Sequence, residues 1–149
     1  MLSPLVDFLN ETGPDAAGRS LDAVLVFDDA ALEHHHDFIQ WLFPLPEPSR
    51  AVAGSPVLTP EDQTAISMSA TALANIAAAA DRMARFYAAT DAWLAPHDHN
   101  HLRISRIIRS LRLLVGETVA DRFRDGLMQQ MVSRGGRVNA ASLDHWRSA

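Results

Sequence analysis

Seven histidines are the first residues in this chain with chemistry to offer, and they fall in three places: His34-His35-His36, His97-Asp98-His99-Asn100-His101, and His145. His36 stands on what reads as the apolar stripe of a helix, beside Asp37 and one turn before Gln40. Such a residue either contacts a ligand or, more commonly, is satisfied inside the core. Three consecutive histidines on a helix point about 100° apart and cannot converge on one ion. His97, His99 and His101 could chelate from an irregular loop with help from Asp98. No spacing forces that convergence, so neither a metal site nor a cofactor is assigned.

The other reactive types narrow the chemistry further. There is no cysteine, which removes thiolate nucleophiles, disulfides and Cys-based zinc sites. All 13 basic residues are arginine, so a Schiff-base lysine and a phosphate-binding P-loop lysine are excluded. Gly54-Ser55-Pro56 is not a nucleophile elbow, and the carboxylate pairs Asp28-Asp29 and Glu61-Asp62 sit where helix capping accounts for them. No catalytic residue is assigned. An enzyme with a His-containing pocket stays open as the alternative, because catalytic groups can be scattered along a chain.

Arginine is the strongest electrostatic signal. Arg103, Arg106, Arg109 and Arg112 recur on one half of a helical pattern, and guanidinium forks suit phosphates and carboxylates. The net charge of −5 and the lack of interleaved aromatics argue against nucleic acid and for an internal or solvated arginine face. The charge is divided: residues 1–62 carry 11 acids against Arg19 and Arg50, or −9, and residues 63–149 come to +4. Such polarity can pair the halves or steer a partner.

The elements that must position these groups read as helices throughout. Ser3-Pro4 opens a short first helix that ends before Gly13-Pro14. Ser20 caps a second, whose Val24-Leu25-Val26-Phe27 could equally be a buried strand. A central helix over about 29–43 carries Leu32, His36, Ile39 and Phe43 on one stripe, widened by Phe38, Trp41 and Leu42, and Pro44 ends it. A proline-rich loop follows, longer than most connections in a compact domain. Thr59-Pro60-Glu61-Asp62 is a strong helix opening, with a pause at Ser67-Met68-Ser69. Beyond it, Leu73, Ile76, Ala80, Met83, Tyr87, Thr90 and Leu94 form a seam whose alanines would also admit a second copy, so a homodimer is a further structural role. Asn100 reads as the cap of a helix over 101–115, Gly116 as its stop, and Gly135-Gly136 as the end of the next. Asn139 caps a last short helix that docks Leu143 and Trp146.

At 149 residues with 48% hydrophobic content the chain reads as one domain, 1–149, able to bury about 70% of its unfolded surface. No apolar run approaches the roughly 20 residues needed to cross a bilayer, and no secretion signal opens the chain, so a soluble cytoplasmic protein is expected.

Two ordered blocks carry a resemblance. Leu32-Glu33, His36 through Leu45 and Glu47-Pro48-Ser49 form the first, and Asn100 through Leu111 the second. Together they resemble the opioid growth factor receptor conserved domain, with likeness from about Phe8 to Trp146. The resemblance implies an all-helical domain, here six or seven helices around the 29–43 helix, and decides the second segment for helix. It also implies recognition rather than catalysis: the vertebrate namesake binds a short opioid peptide and is associated with nucleus and membrane. For this chain a peptide or protein partner is expected, at a crevice where His36, Gln40, Trp41, Pro44, His99, Asn100, Arg103 and Arg106 meet. Arg103 and Arg106 match the second block and are candidates for salt bridges to Glu33 or Asp37.

Overall fold

The computed structural model describes residues 2–149, and all regular structure among them is helical. The described residues form nine α-helices and one short 3₁₀ turn, more than the patterning predicts because two expected helices are broken. In order they are α1 (Pro4–Leu9), α2 (Leu21–Leu25), α3 (Asp29–His34), α4 (Ile39–Leu42), α5 (Pro60–Ser67), α6 (Ala70–Ala89), the 3₁₀ turn Ala92–Leu94, α7 (Asn100–Leu114), α8 (Glu117–Ser133) and α9 (Ala140–Ser148). The chain divides into two units, the first up to Ala79 and the second from Ala80.

Short polar side chains start most of these helices. Ser3, Ser20, Asp28, Thr59 and Asn139 each accept a hydrogen bond from a backbone N–H of the first turn they precede. At α5 the arrangement is reciprocal: Asp62 N–H donates to Thr59 Oγ1 at 3.0 Å, and Thr59 N–H donates to Asp62 Oδ2 at 3.2 Å. Residues 24 and 25 are helical and Val26 is the C-cap, so a strand there is excluded.

The single helix expected over 29–43 does not form. The chain runs helical to His34, turns extended at His35 (φ −84°, ψ 135°), and re-enters a single helical turn at Ile39. The cause is burial. Every residue from Phe38 to Leu45 lies inside. On an unbroken helix, neighbours 100° apart would point these residues all round the axis. Breaking the helix lets the run thread through the first unit, where α1 packs on α4 and α5 and Phe8 meets Trp41 edge to face at 5.5 Å.

In the second unit, α7 packs on both α8 and α9. The seam ends at Ala89 instead of continuing helically to Leu94, because Trp93 folds back and donates from Nε1 to the carbonyls of Tyr87 (2.8 Å) and Thr90 (3.1 Å). Arg134 reaches the same two carbonyls, at 3.1 and 2.9 Å, which places a cation on the helix's negative end. Asn100 is not the cap of α7 but its first residue; Asp98 Oδ1 accepts the Asn100 backbone N–H at 2.9 Å instead.

The α8–α9 connection is tight at Gly135-Gly136. Gly135 has φ 66°, and Gly136 N–H donates to Met131 O at 2.7 Å, closing the helix end. A Cβ on Gly136 would lie 2.9 Å from Leu94 Cδ2 and 3.0 Å from Met131 Cγ. Gly136→Ala is therefore expected to cost about 1–3 kcal/mol. Gly126→Ala, at a helical glycine with nothing within 4 Å, is expected to stabilise by about 0.5–1 kcal/mol. Urea midpoints that moved the same way for both would refute this reading of the turn.

Candidate functional site

Four of the eight candidate residues lie in the first unit and four in the second. In the first, α4 holds Gln40 and Trp41 and leads into Pro44. Gln40 is 3% exposed, and its Oε1 has no hydrogen-bond partner among the described residues. Trp41 keeps 8% of its surface, while Trp93 and Trp146 keep none. Pro44 is buried, whereas Pro46, Glu47 and Pro48 are exposed. His36 is exposed and lies in the extended segment, not on a buried helical stripe. Its expected place depended on the unbroken helix.

A clamp that sequence reasoning missed holds this extended segment. Asp15, its side chain fully buried, accepts from Ala17 N–H (3.0 Å) and Arg19 N–H (2.9 Å) through Oδ1, and from Arg19 Nε through Oδ2 at 2.8 Å. Arg19 NH2 then donates to Asp37 Oδ1 at 3.0 Å, and its guanidinium lies 5.7 Å from the Phe27 ring centroid. Phe27 stacks on His35 at 5.1 Å and meets Phe38 edge to face at 5.9 Å. Burial pulls the Arg19 guanidinium down, but its hydrogen bonds to Asp15 and Asp37 outweigh that and hold it above its usual value. No single motif announces this clamp; only the Asp15–Arg19 spacing of four was visible.

In the second unit, His99 is exposed and Arg106 half-buried, while Asn100 and Arg103 are buried. Asn100 Oδ1 accepts from Tyr87 Oη at 3.2 Å, and its Nδ2 donates to Asp98 Oδ1 at 2.8 Å. The arginine stripe is not one solvated face. Arg103 is inside, Arg109 exposed, and Arg112 is held at 2.8 Å by Asp121 and at 2.7 Å by Ala149 O. That arrangement leaves no continuous basic track for a phosphate backbone.

His101 is the histidine that most departs from its sequence reading. It does not face outward with His97 and His99 but is 4% exposed, with Nε2 2.8 Å from Trp93 O and the Trp146 ring 5.7 Å away at 84°.

Residues 25–94 match the model of the opioid growth factor receptor (OGFr) conserved region. Over that stretch, a little under half of its length, the chain is similar to this family's conserved region. The OGFr match covers α3 to α6 and ends at the 3₁₀ turn, so the first sequence block lies inside it and Asn100–Leu111 lies beyond it. No curated protein and no solved structure matches the chain. No helix among the described residues is long and apolar enough to cross a membrane.

Proposed function

We propose that this OGFr-type chain recognises a peptide or protein partner in the cytoplasm and performs no chemistry on it. The observation that carries the reading is Gln40, an amide buried within the OGFr-matched segment whose Oε1 accepts no hydrogen bond among the described residues. Leaving a buried acceptor unsatisfied costs about 1–3 kcal/mol, a cost that a donor from a ligand would offset. Trp41 is next to it in sequence and keeps a margin of exposed ring, and an aromatic wall with one oriented polar group is the usual form of a recognition site. His36 and Pro44 belong to the same proposed contact set. The second unit by itself offers a partner the exposed His99 and the half-buried Arg106, while Asn100 and Arg103 are buried.

The reading separates binding from stability. Gln40→Met is expected to leave stability unchanged or improve it, since an apolar group of similar shape replaces the unsatisfied amide. Peptide binding should weaken at least tenfold. Titrating a panel of short peptides while following tryptophan emission measures this, and Trp41→Phe should abolish the signal because Trp93 and Trp146 are sealed. A Gln40→Met protein that lost stability and bound every peptide as the parent does would remove the proposal.

A further inference from the structure

Ser142 and His101 are 41 positions apart, and the second unit brings Ser142 Oγ to 3.3 Å from His101 Nδ1. The tautomer follows from the partners. Trp93 O can only accept, so His101 Nε2 carries the hydrogen and donates at 2.8 Å. In the neutral ring Nδ1 is then an acceptor. Asn139 Nδ2 donates to Ser142 Oγ at 3.0 Å, which leaves the hydroxyl hydrogen to point at Nδ1. This is a hydroxyl paired with a base, the base being oriented by a third group on its far nitrogen, with a carbonyl in place of a carboxylate. The separation is at the loose end of the range such pairs show without substrate.

Two further features fit acyl transfer. Ser142 is the third residue of α9 and is partly exposed, whereas the histidine behind it is buried. Ahead of it, Ala140 and Ala141 are exposed, and among the described residues their backbone N–H groups have no acceptor. These are the first two donors of a helix, on the positive end of its dipole, where an oxyanion is stabilised. Asn139 Oδ1 takes the Ser142 N–H at 2.9 Å and so caps the first turn of α9, to which Ala140, Ala141 and Ser142 all belong.

From this geometry we infer that Ser142 is an acyl-accepting nucleophile, with His101 as its base, toward carboxylic esters bearing a small acyl group and a good leaving group. Ser142 Oγ attacks the ester carbonyl carbon as its proton passes to His101 Nδ1 and the carbonyl π pair moves onto oxygen. Collapse breaks the bond to the leaving oxygen, which takes the proton from Nδ1. Water then attacks the acyl-serine, gives a proton to Nδ1, and releases the carboxylic acid as Ser142 Oγ regains a proton. This activity is additional to partner recognition and does not use Gln40 or Trp41.

The composition makes the test clean, because the chain has neither lysine nor cysteine to take up acyl groups adventitiously. The full chain is mixed with p-nitrophenyl acetate, the release of p-nitrophenolate is followed from mixing, and the tryptic peptide 138–147 is analysed by mass spectrometry. One equivalent of rapid release is expected, with one acetyl group on Ser142. Ser142→Ala, a change of one oxygen at a partly exposed residue, should abolish both the burst and the label. His101→Gln should slow acylation about 100-fold. If that buried variant fails to fold, Ser142→Ala decides alone. Acetyl found only on histidines or the amino terminus, or an unchanged burst in Ser142→Ala, overturns the inference.

Discussion

Trp146→Ala is expected to cost the second unit about 3–5 kcal/mol, the range for truncating a large buried aromatic. The ring has no exposed surface, lies 6.4 Å from Trp93 and 5.7 Å from His101, and donates from Nε1 to His101 O at 3.1 Å. The lost hydrogen bond is a minor part of the effect, since His101 O also accepts from Ser105 Oγ at 3.2 Å. The cavity dominates. Trp146 is also the buried anchor of α9, and nine residues fall below the length at which an isolated helix holds in water, about 12–15. The truncation should therefore fray residues 140–148 and carry Ser142 away from His101. Urea unfolding gives the stability, and amide exchange over 140–148 reports the fraying. Trp146→Phe should recover more than half of the loss. A Trp146→Ala midpoint within 1 kcal/mol of the parent, with protected amides in α9, would show that the docking lies elsewhere.

Asp15→Ala is expected to cost about 3 kcal/mol, from two backbone donors left without their acceptor and an arginine left without its most buried partner. Asp15 accepts from Ala17 N–H, Arg19 N–H and Arg19 Nε, all at 3.0 Å or less. Arg19 would keep its place over Phe27 and its pair with Asp37, whose side chain is 49% exposed, so the surviving ion pair is screened by solvent. Asp15→Asn separates the contributions: an oxygen remains for the backbone donors while the charge is lost, and about half the effect is expected. Because the clamp holds the extended segment beside α4, both variants should also raise amide exchange over 35–38. Parent-like stability in Asp15→Ala would mean that this carboxylate is incidental.

Much of the layout is local and was legible. Ser3-Pro4, Ser20, Thr59 with Asp62, and Asn139 each sit at a helix start, since a cap acts on N–H groups two or three residues away. The pause at Ser67-Met68-Ser69 and the stops at Gly116 and Gly135-Gly136 are local for the same reason. The 29–43 helix does not form because the apolar run that ends it is too continuous for one helical face: residues 38–45 are all buried, while 34–37 are exposed. Asn100 was misplaced by one position, with Asp98 doing the capping, because an Asp and an Asn two apart are equal candidates until the turn is seen.

Taken alone, the amino-acid order determined an all-helical chain, most helix ends and the OGFr relationship, because each depends on residues within a few positions or on a contiguous run. The tertiary structure decided that His36 faces out and His101 in, that Arg103 leaves the basic stripe, that Asp15, Arg19 and Asp37 form one clamp, and that Ser142 meets His101. Those pairings join side chains up to 41 positions apart. No periodicity encodes such a meeting; it is set by which helix faces pack and where a chain with too many adjacent apolar residues must break.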